Sequence, residues 1–497
     1  MAAQLLEALI LLFYLRNLLF MVFGTLIGML VGVVPGINAT IAVAMLLPLS
    51  YGLSPETAII FLVGIYVGAM QGGAIPAILL NVPGTGAASA TALDGYPLAL
   101  KGRAGEAIAA AVIASFIGNC ITFAALLFLA PPLAAFSLNF GPAEFFAISI
   151  FGVTLIGAIA GKDIIKGLIA GLTGLLIGTI GVVPFAGTVR YTGGIMGLYD
   201  GVNLQWGIVG FFAIAQSLQL VKIKGTLVDP IQVTQYSIKK VIRFIMNMKF
   251  VTILSAAIGV LVGMTPGPGA ATASWITYAE AKKHLEGRDE VPFGEGRLES
   301  VVAVECANNA TVGGALIPTL VFGIPGSPTA AVMLGAFVIT GLSPGFDLFQ
   351  TRAVEVYSII LSIFFAGCVF LVAGLLIIPY ASKIVTLKTS VIVPAIVVLG
   401  AVGGFIPTNT VFGIYMAMII GGIGYILNKH GFPSPPLLLG LILATITEQN
   451  FHRLFLVSGG GMGFWRFIGN RPIAAVILIL CVLSVVGICR QQMIKSK

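Results

Sequence analysis

The sequence predicts an all-α polytopic membrane protein. Of its 497 residues, 58% are hydrophobic and 9% are charged, whereas soluble domains average about 45–50% apolar and about 25% charged residues. The apolar residues recur in blocks of roughly 17–25, the length of helix that crosses a bilayer. The chain therefore has room for about 12 membrane passages, some of them broken or re-entrant. This composition excludes a soluble globular protein.

The predicted apolar helices cover the chain, and several are too short to cross a membrane alone. They are residues 18–34, 37–51, 55–72, 104–130, 143–160, 167–182, 203–221, 250–265, 268–280, 299–314, 353–378, 391–405, 409–427 and 473–489. Helices that stop inside a membrane leave backbone groups that must be buried in protein or line a cavity. We therefore expect broken helices and re-entrant hairpins.

The basic residues lie mainly in the short gaps between apolar blocks, and the net charge is +8. The gap at 222–249 holds six Lys and Arg side chains against Asp229 alone. By the positive-inside rule this gap faces the cytoplasm, on the same side as Lys101 and Arg103. The distribution fits membrane orientation rather than nucleic-acid binding.

An internal repeat divides the chain into two halves. Three matched segments keep their order: Gly24–Gly36 with Ser255–Gly267 (offset 231), Ile75–Gly84 with Ile317–Gly326 (offset 242), and Arg103–Glu106 with Arg352–Glu355 (offset 249). If the first half has about seven passages and one hairpin that returns to its own side, the second half begins on the opposite face. Such an inverted-topology repeat is typical of secondary transporters.

The repeat predicts five segments. They are an N-terminal interfacial segment at 1–17, repeat 1 at 18–222 with a hairpin tip near 81–89, a basic cytoplasmic linker at 223–249, repeat 2 at 250–489 with a tip near 323–329, and a basic tail at 490–497.

The two hairpin tips are the predicted substrate site. At such a tip a new helix begins with unpaired N–H groups and a partial positive charge, which together attract a carboxylate. The candidate residues are Asn81, Pro83, Gly84, Thr85, Gly86 and Ser89 in the first half, and Asn308, Asn309, Thr311, Pro325, Gly326, Ser327 and Thr329 in the second. The alternatives are that Pro-Gly only makes a tight turn and that the amides only bond between helices.

The two helix breaks are the predicted cation sites, because carbonyl groups freed at a broken helix can coordinate Na⁺. The candidate residues are Pro35, Gly36, Asn38, Thr40, Pro266, Gly267 and Glu305. The coupling ion is expected to be Na⁺, with H⁺ as the alternative. A buried carboxylate such as Glu305 is costly in a membrane. The alternative is that Glu305 has a structural role and forms a hydrogen bond that stabilises the broken helix. The small residues before each break also allow close helix packing.

No catalytic residues or cofactors are predicted. The segment Gly157–Asp163 lacks the first glycine and the Ser/Thr of a phosphate-binding loop. No second acidic motif completes an aspartyl protease pair with Asp200. Glu448 is expected to form a structural ion pair with Arg453.

Several long motifs resemble the large membrane subunit of tripartite tricarboxylate transporters. They are Gly28–Gly36, Gly68–Gly73, Ile78–Gly84, Ala90–Pro97, Gly102–Glu106, Glu305–Ala310, Gly313–Pro318 and Gly323–Ser327. The resemblance implies a cation-coupled permease of the bacterial inner membrane for a citrate-like carboxylate. It also implies two protein partners, a small four-helix membrane subunit and a periplasmic substrate-binding protein. In the family a glutamate usually stands where this chain has Thr85, and an aromatic residue is common in place of Gln71.

The alternatives to a transporter are an ion channel, a non-transporting membrane scaffold and, third, an intramembrane enzyme, which would have to release a modified product. The hairpin site predicts that Gly84→Val or Gly326→Val abolishes transport while leaving membrane insertion intact. Normal uptake by both variants would refute it.

Overall fold

The chain is described here from a computed structural model, which covers residues 2–34, 36–137, 140–159, 164–183, 187–221, 236–267, 269–286, 291–384, 389–459 and 467–495. Nearly all of this part is helical, and its two strands, β1 (Gly181–Val182) and β2 (Val189–Arg190), form one antiparallel pair. The predicted all-α polytopic fold is confirmed.

The described residues of the first half form eleven helices. They are α1 (Ala2–Phe13), α2 (Leu15–Gly32), α3 (Ala39–Leu46), α4 (Pro55–Gly72), α5 (Ala74–Leu80), α6 (Ala88–Leu98), α7 (Ala104–Phe136), α8 (Pro142–Ile159), α9 (Ile164–Gly178), α10 (Leu204–Ile208) and α11 (Ala215–Leu220). Short 3₁₀ or π segments follow α3 (Leu47–Ser50), α6 (Ala99–Arg103) and α10 (Val209–Ile214), and a 3₁₀ turn lies at Met196–Leu198.

The second half follows the same plan. Its helices are α12 (Ile238–Asn247), α13 (Lys249–Met264), α14 (Gly269–Leu285), α15 (Leu298–Phe322), α16 (Pro328–Ile339), α17 (Phe346–Thr351), α18 (Ala353–Ile377), α19 (Ala381–Ile384), α20 (Thr389–Phe405), α21 (Val411–Lys429), α22 (Ser434–Ser458) and α23 (Pro472–Lys495), with a 3₁₀ turn at Ile378–Tyr380.

Within the described residues, six helices are long and apolar enough to cross a membrane, and a bent pair brings the number to seven. Eight shorter apolar helices of 10–17 residues accompany them. Interrupted spans of this kind need buried or cavity-lining partners for their free backbone groups. The total of about 12 passages stays a prediction.

The small-residue runs pack parallel helices against each other in both halves. A Cβ on Gly28 of α2 would lie 2.5 Å from the carbonyl oxygen of Ile65 in α4. A Cβ on Gly259 of α13 would lie 2.5 Å from the carbonyl oxygen of Ala307 in α15. The two glycines differ by the repeat offset of 231 and their partners by 242. The repeat found in the sequence is thus a repeat of helix packing, with glycine required at the contact.

The matched helices α7 and α18 run antiparallel. Gly374 lies beside Val112, and Gly367 lies beside Asn119, so the residue numbers fall along α18 as they rise along α7. The amide of Asn119 also donates to the carbonyl of Ile363 at 2.8 Å. Opposite directions in equivalent helices are what an inverted repeat requires.

The structure differs from the predicted helices at several places. α15 continues through Pro318 to Phe322, and α22 is a helix of 25 residues that the set of predicted helices lacks. The halves of the first hairpin are the separate helices α5 and α6. α15 is buried along nearly its whole length, and this packing offsets the poor local propensity of Pro318, whereas the prolines of α22 lie in its first turn, where proline is favourable.

The predicted pair of Glu448 and Arg453 is wrong. Glu448 instead pairs with Arg190, the last residue of β2, at 2.9 Å. Residues five positions apart on a helix are rotated by about 500°, which is about 140° beyond a full turn, so Arg453 points away from Glu448.

The proposed segment boundaries remain predictions. In the segment 1–17, α1 packs on α18 through its buried residues Ala8 and Leu12. In the linker, residues 223–235 lie outside the described residues, while 238–247 form α12. In the tail, the backbone of residues 490–495 continues α23, and 496–497 lie outside the described part.

Candidate functional site

The two hairpin tips have the same local structure. Each follows a helix that ends in a left-handed residue, Asn81 (φ 57°) after α5 and Gly323 (φ 68°) after α15. In both tips the N–H group of the next residue donates a hydrogen bond to the carbonyl of a proline. Val82 donates to Pro76, and Ile324 donates to Pro318. The matched prolines of the sequence therefore predict matched turns.

A hydroxyl accepts an N–H group at the start of the helix that leaves each tip, and in the second tip it is the N-cap. Thr85 Oγ1 accepts from the N–H of Ala88 at 3.3 Å at the start of α6. Ser327 Oγ accepts from the N–H of Ala330 at 3.1 Å at the start of α16. Side-chain oxygens at this position satisfy one of the free N–H groups of a first helical turn. Fewer free N–H groups remain in the second of these turns, because Pro328 has no N–H and Ala331 donates to the Ser327 carbonyl.

Each tip glycine packs against the end of a helix of its own repeat. A Cβ on Gly84 would lie 2.6 Å from the carbonyl oxygen of Gly32, at the end of α2. A Cβ on Gly326 would clash in the same way with the carbonyl oxygen of Gly263, near the end of α13. The tip glycines are therefore required for packing, whatever else they do.

The second tip also contacts helices of the first repeat. Thr329 Oγ1 lies 2.8 Å from Thr40 Oγ1 on α3, the helix that follows the first break. Ser327 Oγ lies 3.2 Å from the hydroxyl of Tyr66 on α4. All four side chains are buried, so these hydrogen bonds join the repeats away from bulk water.

The first turn of α14, which follows the second break, touches both tips. A Cβ on Gly86 of the first tip would lie 3.4 Å from Cβ of Ala271. A Cβ on Gly269 would lie 3.9 Å from Cδ of Pro328 in the second tip. Both tips and both breaks of the predicted site therefore meet in one region of the fold.

The breaks bend at glycine, as the Pro-Gly pairs predict. Gly36 has φ +85° and Gly267 has φ +111°, conformations that favour glycine. Asn38 accepts from the N–H of Ile41 at 3.0 Å as the N-cap of α3, and the Gly36 carbonyl accepts from Gln216 at 3.2 Å. Some of the oxygens predicted to hold a cation thus already have protein donors. Pro35 lies outside the described residues, and Pro266 is half-buried beside the second bend.

Glu305 is fully buried and joins three helices. Its carboxylate accepts from Thr91 on α6, from Asn308 on its own helix at 3.2 Å, and from Ser115 on α7 at 3.5 Å. This donor set fits the expectation that the carboxylate locks the helices together. The role as a cation ligand stays a prediction.

Three buried amides have unpaired polar atoms, and two of them, Gln71 and Asn308, lie at the end of α4. Asn308 Nδ2 donates to the carbonyl of Met70 at 3.2 Å, which brings the middle of α15 to the end of α4. Within the described part of the chain, the side-chain oxygen of Asn308 and both amide atoms of Asn309 and Gln71 have no partner. Unpaired buried polar groups cost about 1–3 kcal/mol each, so they indicate a bound ligand or water.

Gln71 was missed by the sequence analysis as a site residue, because it stands in a run of glycines that indicates packing. Its neighbour Gly73 accepts the N–H of Gly84 at 3.3 Å, which places the end of α4 at the first tip. Thr311, a predicted ligand, instead donates to the Asn308 carbonyl at 2.6 Å.

The two tips differ in exposure. Asn81 and Gly86 are exposed and Ser89 is half-buried, whereas Thr85 is buried. In the second tip Pro325, Gly326, Ser327 and Thr329 are all buried. The first tip is therefore the accessible side of the site in this conformation.

The chemistry of the site is neutral. Neither 81–89 nor 323–329 contains Lys or Arg. Helix N-termini, hydroxyls and amides remain as donors, a set that binds carboxylates without cationic side chains.

The chain is similar to two curated proteins of Agrobacterium vitis. One is an uncharacterized 52.8 kDa protein of the TAR-I ttuC' 3' region, 35% identical over 476 residues, which are 95% of this chain and 92% of the relative. The other is an uncharacterized protein of the TAR-II ttuC' 3' region, 33% identical over 228 residues, 46% of this chain and 92% of that relative. No solved structure matches the chain.

A family profile matches residues 18–439, which cover both repeats from the first glycine run to α22. This family supplies a membrane component of tripartite systems, which also contain a binding protein and a small membrane subunit. The chain belongs to the tripartite tricarboxylate transporter TctA family.

Proposed function

We propose that this chain is the permease of a tripartite system that takes up a citrate-like carboxylate across the bacterial inner membrane, coupled to Na⁺. The proposal rests on one observation: the two matched hairpin tips contact the two helices that follow the breaks. The small four-helix subunit and a periplasmic binding protein would complete the system.

The carboxylate would bind between the first turns of α6 and α16. Each first turn presents N–H groups and a partial positive charge. Thr85 and Ser327 add one hydroxyl each, and Gly86 leaves the backbone open on the accessible side. Two such ends can hold a multiply charged anion at a site without Lys or Arg.

The Na⁺ ions would bind at the breaks near Gly36 and Gly267. Support comes from the contacts between the helix after each break and a tip of the other repeat, Thr40 with Thr329 and Ala271 with Gly86. A cation that orders a break would thereby order a tip. This is the differential stabilisation that coupled binding requires.

The test is uptake of labelled citrate and smaller di- and tricarboxylates into vesicles that contain the chain and its small partner. The binding protein is added or omitted, under a Na⁺ gradient or a proton gradient alone. We expect saturable uptake that needs both the binding protein and Na⁺.

Each other outcome selects an alternative. Uptake driven by the proton gradient alone would replace Na⁺ with H⁺. Linear flux without the binding protein would indicate a channel. No flux of any carboxylate, with the folded protein verified in the vesicles, would favour a scaffold over a transporter.

A further inference from the structure

The basic linker ends in a helix with three distinct faces. In α12, Val241 and Ile245 are buried against the protein, at 1% and 3% exposure. At about 100° per residue, Lys239, Lys240 and Arg243 share a second face, and all three are exposed. A third face carries exposed apolar side chains at every fourth position: Ile238, Ile242 and Met246.

α12 is bent by 80° from α13, the apolar helix that follows it. The exposed apolar face of α12 continues into α13 through Phe250 and Ile253, which are 64% and 57% exposed. Because exposed apolar side chains of a spanning helix face lipid, Lys249 and Phe250 mark the boundary between headgroups and hydrocarbon. α12 therefore lies at this boundary, roughly across the direction of α13.

The position of α12 agrees with the predicted cytoplasmic side. The hydroxyl of Tyr236, just before α12, donates to the Leu375 carbonyl at 3.4 Å, near the end of α18. That end of α18 lies beside Val112 in the first turns of α7, which follow Lys101 and Arg103. The basic residues of both segments thus lie at one end of the α7–α18 pair.

The cationic face has no acidic partner among the described residues. The sequence contains no Asp or Glu between 230 and 279. The acidic side chain of α7, Glu106, pairs with Arg103 at 2.7 Å. On α14, whose His284 contacts Phe250, Glu280 and Glu286 pair with cations of their own helix. Within the described part of the chain, the charges of α12 are therefore available to an external anion.

We propose that α12 is a binding site for anionic phospholipid headgroups. Lys239, Lys240 and Arg243 contact the phosphates, while Ile242 and Met246 enter the acyl region. A helix with adjacent cationic and apolar faces at the membrane surface is suited to this ligand. The site fixes the cytoplasmic end of α13, and it is independent of the proposed transport function.

The test measures lipid bound to the purified chain by native mass spectrometry, with phosphatidylglycerol or phosphatidylcholine of identical acyl chains. The variant K239Q/K240Q/R243Q should lower the preference for phosphatidylglycerol at least about 10-fold. The charge-retaining variant K239R/K240R/R243K should keep it. The preference should also fall with added salt.

The matched control is R16Q/K429Q/R453Q, which removes three exposed cations on α2, α21 and α22. An equal loss in this control would attribute the preference to net charge and overturn the site. Unchanged lipid preference in K239Q/K240Q/R243Q, with an unchanged thermal midpoint, would also overturn it. So would loss of bound lipid on adding the small subunit, because α12 would then be a protein contact.

Discussion

Thr40 and Thr329 are 289 residues apart in the chain, and their hydroxyl oxygens lie 2.8 Å apart in the protein interior. Thr40 belongs to the helix that follows the first break, and Thr329 to the tip of the second repeat. Both are 6% exposed. The bond thus joins a predicted cation site to a predicted substrate site. It offers a physical route for coupling, because order at one end stabilises order at the other.

The first prediction concerns this bond. Thr40→Val and Thr329→Val should each raise the apparent KM for Na⁺ in carboxylate uptake about 2- to 10-fold, since a buried hydrogen bond contributes about 0.5–1.5 kcal/mol. The double variant should be no worse than the poorer single one. A double-mutant cycle on the Na⁺ dependence measures this coupling.

Thr40→Ser is the matched control, since it keeps the hydroxyl and should keep the KM. Additive effects of the two Val substitutions would show that the threonines act separately.

The second prediction concerns Gln71, whose buried amide has no partner among the residues that the structure describes. Gln71→Leu should leave the thermal midpoint in detergent unchanged or raise it, because it removes unsatisfied polar atoms. The same change should raise the KM for the carboxylate at least about 10-fold, because a hydrogen bond to a charged group contributes about 1.5–3 kcal/mol.

Gln205→Leu is a useful comparison, since its buried side-chain oxygen also lacks a partner within the described ranges but lies on α10, outside the tips. If Gln71→Leu transports with the wild-type KM, the amide has no role in binding.

The turns at the tips were predictable because their determinants are local. Pro83-Gly84 and Pro325-Gly326 impose a tight turn, and the small residues before Gly36 impose close helix contacts. The partners of Glu305 were not predictable, since Thr91 and Ser115 come from helices about 200 residues earlier. Nor did the local sequence predict Gln71, because only the packing of α4 against α15 shows that its amide is unpaired.

The third prediction concerns Asp94, a residue of the first hairpin whose carboxylate forms hydrogen bonds with the second repeat. One carboxylate oxygen accepts the N–H groups of Gly294, Gly296 and Arg297 at 2.8–2.9 Å. The other accepts from Ser300 at 2.7 Å. Asp94→Asn removes the charge from these bonds and should lower the unfolding free energy by about 1–3 kcal/mol.

Thermal unfolding in detergent measures this effect, and proteolysis of the 291–297 loop should become faster in parallel. The exposed residue Asp200 provides the control Asp200→Asn, for which no change is expected. A wild-type midpoint for Asp94→Asn would show that the loop is held by other contacts.

The fourth prediction separates packing from binding at the first tip. Gly84→Ala should destabilise the protein, because its Cβ would lie 2.6 Å from the Gly32 carbonyl oxygen. Loss of transport in any larger variant at Gly84 or Gly326 therefore says little about binding. Gly86 is the better position, since a Cβ there meets Ala271 at 3.4 Å, an ordinary van der Waals distance, on the exposed side of the tip.

Gly86→Ala should keep the thermal midpoint of the wild type and raise the KM for the carboxylate, because the methyl group covers backbone that the anion approaches. Gly422→Ala is the control, since its Cβ meets no atom within 4 Å. The measurements are the thermal midpoint in detergent and the substrate dependence of initial uptake. A wild-type KM in Gly86→Ala would mean that the carboxylate does not approach the N-terminus of α6, and the second tip with Asn308 would then have to bind the anion alone.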